Sequence, residues 1–207
     1  MAGCTSCASD NTTKEESTDP LFRRVLWIAL ISNGVMFFAE LIGGIFSGSV
    51  SLQADALDFF GDSVNYGISL FVLGMAINVR AKAALFKGLS MALFGMFVIG
   101  NALYQSLNSV PPDHAVMSTL ALLALLVNTG VALLLYRYRS GDSNMRSIWL
   151  CSRNDALGNI AVMAAASGVM LTNSGWPDLL VAILIAGLNL SAAFQVIKQA
   201  RGELLTI

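Results

Sequence analysis

Six long apolar stretches, separated by short polar turns, make up nearly all of the chain after residue 20. Each is long enough to cross a bilayer, which takes about 20 mostly apolar residues in a helix. The turns between them carry Gly, Pro, Ser and Asn, which favour helix ends. The pattern predicts an all-α membrane protein built as a six-transmembrane-helix bundle. The predicted helices run over 21–46, 53–77, 82–107, 114–136, 146–172 and 177–199.

The first 20 residues differ from everything that follows. They are small and polar, and Lys14 is their only basic residue. A segment of this composition cannot bury enough apolar surface to fold, so we expect 1–20 to be a disordered tail. The first apolar stretch is too long for the core of a signal peptide. The predicted domain organisation is therefore a tail over 1–20 and one transmembrane domain over 21–207.

The distribution of basic residues predicts the orientation of the bundle. The turns after the first, third and fifth helices contain no Lys or Arg, whereas the other turns and both ends do. Cytoplasmic loops of membrane proteins carry an excess of basic residues, so both termini are predicted to be cytoplasmic. The basic residues are Lys14, Arg23, Arg24, Arg80, Lys82, Lys87, Arg137, Arg139, Arg146, Arg153, Lys198 and Arg201.

Composition agrees with the membrane class and excludes others. Mean hydropathy is +0.69 and only 12% of residues are charged, against about 25% in soluble domains. No basic patch with interleaved aromatic residues is present, so nucleic acid is not an expected partner. Three cysteines, two of them three residues apart, do not form a disulfide framework. They are predicted to be reduced thiols or metal ligands.

Three aspartates interrupt the second apolar stretch: Asp55, Asp58 and Asp62. Each Asp near the middle of a spanning helix costs about 2.5–3.5 kcal/mol, and a large apolar residue offsets only about 0.3–0.6 kcal/mol. These carboxylates must therefore face the bundle interior. Asp58 and Asp62 lie one helical turn apart on one face, and Asp55 lies close to the same line. Adjacent carboxylates repel unless a cation or a proton lies between them.

The fifth apolar stretch carries a matching pair, Cys151 and Asp155, again four residues apart. At about 1.5 Å per residue, Asp62 and Asp155 both fall near the middle of the membrane. Asp58, Asp62, Cys151 and Asp155 are therefore the candidate metal ligands. Four oxygen and sulfur donors suit a tetrahedral Zn²⁺, and a thiolate disfavours Mg²⁺ or Ca²⁺.

The remaining candidates give weaker signals. Cys4 and Cys7 form a lone C-x-x-C in the tail, which either captures metal transiently or is inert. These two cysteines and Asp55 are accessory candidates for metal binding. His114 is expected to be a solvated turn residue. Glu40 and Arg153 are further intramembrane charges that could pair with a site aspartate, although Arg153 could also extend to the interface.

The second stretch also resembles a known family. The run from Gly48 to Asp58, followed by Asp62, is similar to the helix 2 motif of the cation diffusion facilitators, where an H-x-x-x-D or D-x-x-x-D pair supplies two metal ligands. Cys151 and Asp155 fall on the family's helix 5 pair, usually H-x-x-x-D. The resemblance covers nearly the whole chain from residue 21. It implies metal/proton antiport out of the cytoplasm, by alternating access, in a homodimer in the plasma (inner) membrane.

Two departures from the family pattern change what is expected. The family usually has a cytoplasmic metallochaperone-like domain after helix 6, whereas this sequence stops at Ile207. We therefore expect a short form without that domain. Cys151 replaces the usual histidine, so the softer Cd²⁺ competes with Zn²⁺ as the transported ion. The metal is the substrate, and no permanently bound cofactor is expected.

Three functions compete at this point. The first is export of a divalent transition-metal cation by a secondary transporter. The second is a metal sensor, or a subunit of a larger complex, that binds metal without transporting it. The third is an intramembrane aspartyl protease, which would also use two aspartates. Its G-x-G-D motif is matched only at Gly61-Asp62, because Phe59 replaces the first glycine. The protease hypothesis also leaves Asp58 and Cys151 without a role.

Overall fold

A computed structural model describes residues 20–71, 77–108, 111–137 and 143–205. Within these ranges the side chains of 71, 77, 78, 80, 108, 143–151, 199 and 203 are not described. The predictions for the tail, including those for Cys4 and Cys7, lie outside the described residues. Six helices make up the described chain, which confirms the predicted fold class. They are α1 (Pro20–Ser47), α2 (Val50–Phe71), α3 (Ile77–Asn108), α4 (His114–Tyr136), α5 (Ser143–Thr172) and α6 (Trp176–Leu205).

Five of these helices are long and apolar enough to cross a membrane. Large apolar side chains are exposed along all five, as expected of surfaces that face lipid. Among the described residues, α2 is the one helix that fails the apolar criterion, because of its three aspartates. The orientation with both termini cytoplasmic stays a prediction.

Helix α2 occupies the interior of the bundle. It has 22 residues, a length of about 33 Å, which is enough to cross a hydrocarbon core of about 30 Å. None of its side chains over 50–70 is exposed, and it contacts each of the other five helices. A helix shielded from lipid in this way can carry carboxylates through the membrane. The sequence-based expectation that α2 turns its aspartates inward agrees with this position.

Two apolar clusters lie on either side of the polar middle of α2. One packs the start of α2 against α3, α4, α5 and α6 around Leu52 and Val162. The other packs Tyr66 of α2 against α1 and α4 around Leu26 and Leu135. Because both clusters are buried, the aspartates between them are held inside the bundle and away from its two ends.

The start of α2 is fixed by a carboxylate from α6. Asp178 accepts hydrogen bonds from the backbone N–H groups of Val50 and Ser51, at 2.8 and 3.2 Å. It also accepts from the hydroxyls of Ser49 and Ser51, at 2.7 and 2.5 Å. Gly48 makes the preceding turn with a φ of 72°. A carboxylate at a helix N-terminus satisfies free N–H groups and the helix dipole together. Helix α2 therefore begins at Val50, before the predicted 53.

Helix α4 has the predicted bounds of 114–136, whereas boundaries of other helices differ from the prediction. Helix α3 begins at Ile77, before the predicted 82, and α6 continues to Leu205, beyond 199. In both cases the added residues include charged side chains, which are good helix formers but which an apolar pattern excludes. Helix α2 was predicted to continue to 77. The structure describes it to Phe71, and 72–76 lie outside the described residues.

Asp178→Ala should destabilise the bundle by about 3 kcal/mol or more, since it leaves two buried N–H groups without an acceptor and two hydroxyls with only each other. The matched control is Asp113→Ala, which removes the exposed N-cap of α4 and should cost about 1 kcal/mol. Reversible unfolding in mixed micelles measures both. Equal losses for the two variants would contradict the structural role of Asp178.

Candidate metal site in the helix bundle

Three of the four predicted ligands line a single cavity inside the bundle. Asp58 and Asp62 reach it from α2 and Asp155 from α5, and α3 and α6 complete its wall. The cavity measures about 140 Å³, which is room for several water molecules or a partly hydrated ion. Carboxylates on two different helices therefore face one partly open cavity that is large enough for a cation.

Asp62 is held by a hydrogen-bonded chain that joins α2 to α5. The Tyr66 hydroxyl donates to Oδ2 of Asp62 at 3.2 Å and lies 2.9 Å from Oγ of Ser152. All three residues are buried. Partners of this kind orient a ligating carboxylate and tune its affinity for a metal. These hydrogen bonds also make the position of Asp62 depend on how α5 packs against α2.

Asp58 has its own partner on α6. The side-chain amide of Asn189 interacts with the Asp58 carboxylate and lies 3.5 Å from the backbone oxygen of Ala54. Asn189 also lines the cavity. An amide offers both a donor and an acceptor, so Asn189 can orient Asp58 or contribute an oxygen to an ion. Asn189 was not predicted from the sequence, because one Asn in an apolar helix gives no spacing signal.

The three carboxylates face each other without being gathered around one point. Asp155 interacts with Asp62 and, at longer range, with Asp58. Over the described part of the chain, however, no three His, Cys, Asp or Glu side chains are placed to hold one ion together. Like charges in a shared cavity repel, so a bound cation would draw these groups closer. Metal binding is therefore expected to tighten the contact between α2 and α5.

A buried lysine adds a positive charge to the cavity. Lys87 of α3 is only 6% exposed, lines the cavity, and donates a hydrogen bond from Nζ to Oδ1 of Asn65 on α2. The distribution of basic residues along the sequence groups Lys87 with a predicted cytoplasmic turn. Met91, one turn later on α3, lines the same cavity, so the two side chains share one face of the helix.

The other predicted residues lie elsewhere. Cys151 is part of α5, one turn before Asp155, but its side chain is outside the described set, so its role stays a prediction. Asp55 is buried but does not line the cavity. His114 is exposed at the start of α4, and Arg153 is exposed on α5 with Nη2 donating to Oδ1 of Asn154 at 3.2 Å.

Comparison with known proteins gives consistent matches. A family model described as the cation efflux transmembrane domain matches residues 26–205. A cadmium, cobalt and zinc/H(+)-K(+) antiporter of Bacillus subtilis is 27% identical, over 86% of this chain and 62% of its own length. The metal cation efflux system protein CzcD of Cupriavidus metallidurans is 28% identical, over 88% and 61%. The zinc transporter ZitB of Pectobacterium atrosepticum is 28% identical, over 87% and 60%. The chain thus spans about six-tenths of the length of these relatives.

Proposed function

We propose that this member of the cation efflux family, an integral multi-pass membrane protein, exports a divalent transition-metal cation. The family match confirms the resemblance to the cation diffusion facilitators. Zn²⁺ is the first candidate and Cd²⁺ the second. One observation carries the proposal: Asp58, Asp62 and Asp155 reach a single cavity from two helices of the bundle. In this proposal the protein is a secondary transporter and not an enzyme.

Asp58, Asp62, Cys151 and Asp155 are the proposed ligands of the transported ion. Two ligands come from each of α2 and α5, at positions four residues apart. Three carboxylates and a thiolate favour a borderline or soft ion over Mg²⁺. The names of the relatives, which include zinc, cadmium and cobalt, support the same class of substrate.

The proposed mechanism is alternating access driven by protons. Ligands bind metal only when deprotonated, so metal binding releases protons and protonation releases metal. In the cavity the carboxylates repel one another until a cation or protons neutralise them. A divalent ion and protons are therefore alternative occupants of the same groups. Exchange between them, with α5 moving relative to α2, would couple outward metal movement to inward proton movement.

The setting of the protein follows from the same proposal. We place it in the plasma (inner) membrane with both termini in the cytoplasm, as the distribution of basic residues predicts. The proposed partners are the lipid bilayer, the metal ion, protons and a second copy of the chain in a homodimer. The bacterial membrane transporters among its relatives support this placement.

Metal flux into sealed proteoliposomes tests the proposed function. Purified protein should move Zn²⁺ or Cd²⁺ across the membrane, and an imposed pH gradient should change the rate. Parallel assays with Mn²⁺ and Mg²⁺ establish the order of metal preference, and protein-free vesicles measure the background leak of metal. Metal binding without flux would favour a sensor or a complex subunit instead. Flux that ignores the pH gradient would remove proton coupling from the proposal.

Lys87→Met should increase metal affinity and slow metal release. The ammonium repels a divalent cation in the same cavity, an effect of about 1 kcal/mol even with water-like screening. We expect KM and kcat for metal flux each to fall about fivefold. Lys87→Arg should behave like the wild type, because it keeps the charge.

The matched control for this lysine is Lys82→Met. Lys82 lies on the same helix but is exposed, so its loss changes the net charge by the same amount outside the cavity. If both Met variants change KM equally, the effect comes from the overall charge of this end of the bundle and not from the cavity.

A further inference from the structure

A second pair of carboxylates lies inside the bundle, away from the cavity. Glu40 of α1 is 0% exposed and Asp55 of α2 is 1% exposed. The two carboxyl groups are close enough to interact directly. Neither residue lines the cavity that holds Asp58, Asp62 and Asp155. The proposed transport function gives this pair no role.

Three of the four carboxylate oxygens of this pair have no hydrogen-bond donor among the described residues. Both carboxylate oxygens of Glu40 and Oδ2 of Asp55 are buried without a hydrogen-bond partner in the described part of the chain. Two facing carboxylates have acceptors only, so neither can satisfy the other while both are ionised. A buried charge without a partner costs several kcal/mol. The pair must therefore be neutralised in the folded protein, either by protons or by a bound cation.

We propose that Glu40 and Asp55 bind one hard divalent cation, of the class of Mn²⁺ or Mg²⁺, at a site separate from the transport cavity. Two carboxylates carry a charge of −2, which one divalent ion neutralises and a monovalent ion does not. The atoms of this pair that can bind a metal are carboxylate oxygens, and oxygen ligands suit Mg²⁺ or Mn²⁺ better than the softer ions. The occupied site would join the second half of α1 to the second turn of α2.

The position of the pair explains why it is a distinct site. Asp55 precedes Asp58 by three residues, about 4.5 Å along the axis of α2. Glu40 faces it from α1, whereas the wall of the cavity is built from α2, α3, α5 and α6. The two sites would share α2 but no ligand. Asp58 is repelled by Asp55 and itself repels Glu40, so a cation between Glu40 and Asp55 would also make a negative charge on Asp58 less costly.

Mn²⁺ binding, followed by electron paramagnetic resonance on the full chain in detergent, tests this site. The background is Asp62→Asn with Asp155→Asn, which removes two ligands of the transport cavity. We expect one Mn²⁺ per chain to remain bound in that background and to raise its thermal stability. Adding the near-isosteric Glu40→Gln should weaken this Mn²⁺ binding at least tenfold and abolish the stabilisation. Adding the exposed Asp113→Asn should change neither.

The outcomes separate a cation from a shared proton. No bound Mn²⁺ in the double variant, or binding that survives both Glu40→Gln and Asp55→Asn, overturns the proposal. An infrared band of a protonated carboxyl that Glu40→Gln removes, without Mn²⁺ binding, identifies a proton in place of the cation. If Glu40→Gln does not fold, Asp55→Asn carries the same test. None of these readouts uses flux, so the transport proposal can fail while this site stands, or the reverse.

Discussion

Asp62→Asn should lower the initial rate of metal flux at least about 100-fold. Loss of a residue that merely orients a ligand costs about 10–100-fold in affinity or activity, and Asp62 is proposed as a ligand itself. It also accepts a hydrogen bond from the hydroxyl of Tyr66, which in turn contacts the hydroxyl of Ser152 on α5. The substitution therefore removes a metal donor and a charge at the contact between the two helices. Flux of Zn²⁺ and Cd²⁺ into proteoliposomes measures the loss.

The same variant should fold at least as well as the wild type without metal. Replacing a carboxylate by an amide relieves repulsion from Asp58 and Asp155. Metal should stabilise the wild type by about 2.7 kcal/mol at a metal concentration of 100 times Kd, and this stabilisation should disappear in Asp62→Asn. Asp113→Asn, an exposed carboxylate outside the cavity, is the matched control. Retained flux in a folded Asp62→Asn protein would remove Asp62 from the site.

The placement of the aspartates shows how far the sequence determines the site. Spacing of four residues predicted that Asp58 and Asp62 share a face of α2, and both line the cavity. Asp55 was predicted to lie close to the same line, yet it faces Glu40 of α1 instead. Seven residues return a helix to nearly the same angle but move about 10 Å along its axis. At the level of Asp55 the helix that packs against this face of α2 is a different one, and a periodic sequence pattern cannot identify which helix that is.

Three other features depend on contacts that are distant in sequence. Asp178 caps α2 from α6, more than a hundred residues later. Asn189 reaches Asp58 from α6, and Lys87 reaches Asn65 from α3. Hydrophobic periodicity predicts which face of a helix is buried. It does not predict which neighbour covers that face, so the ligand spacing was accessible from the sequence and the surrounding polar residues were not.

Cys151→His should shift metal preference from Cd²⁺ toward Zn²⁺ by at least about tenfold, or 1.4 kcal/mol. A thiolate is a soft donor and imidazole a borderline one, so the residue at this position is expected to bias the choice of ion. Cys151→Ser should weaken Cd²⁺ transport more than Zn²⁺ transport, because the lost Cd–S bond is the stronger of the two. The ratio of Zn²⁺ to Cd²⁺ transport rates in the His, Ser and Ala variants is the measurement.

Metal protection of the thiol gives an independent test of Cys151. A thiolate engaged by an ion cannot attack an alkylating reagent, so saturating Cd²⁺ should slow labelling of this residue. The labelling protein should carry Cys4→Ser and Cys7→Ser, so that Cys151 is the only thiol left. If Cys151 only packs against α2, metal will not change the labelling rate. The order of metal preference will then be the same in the His, Ser and Ala variants of Cys151. The site would then consist of Asp58, Asp62 and Asp155, and three carboxylates should favour harder ions such as Mn²⁺.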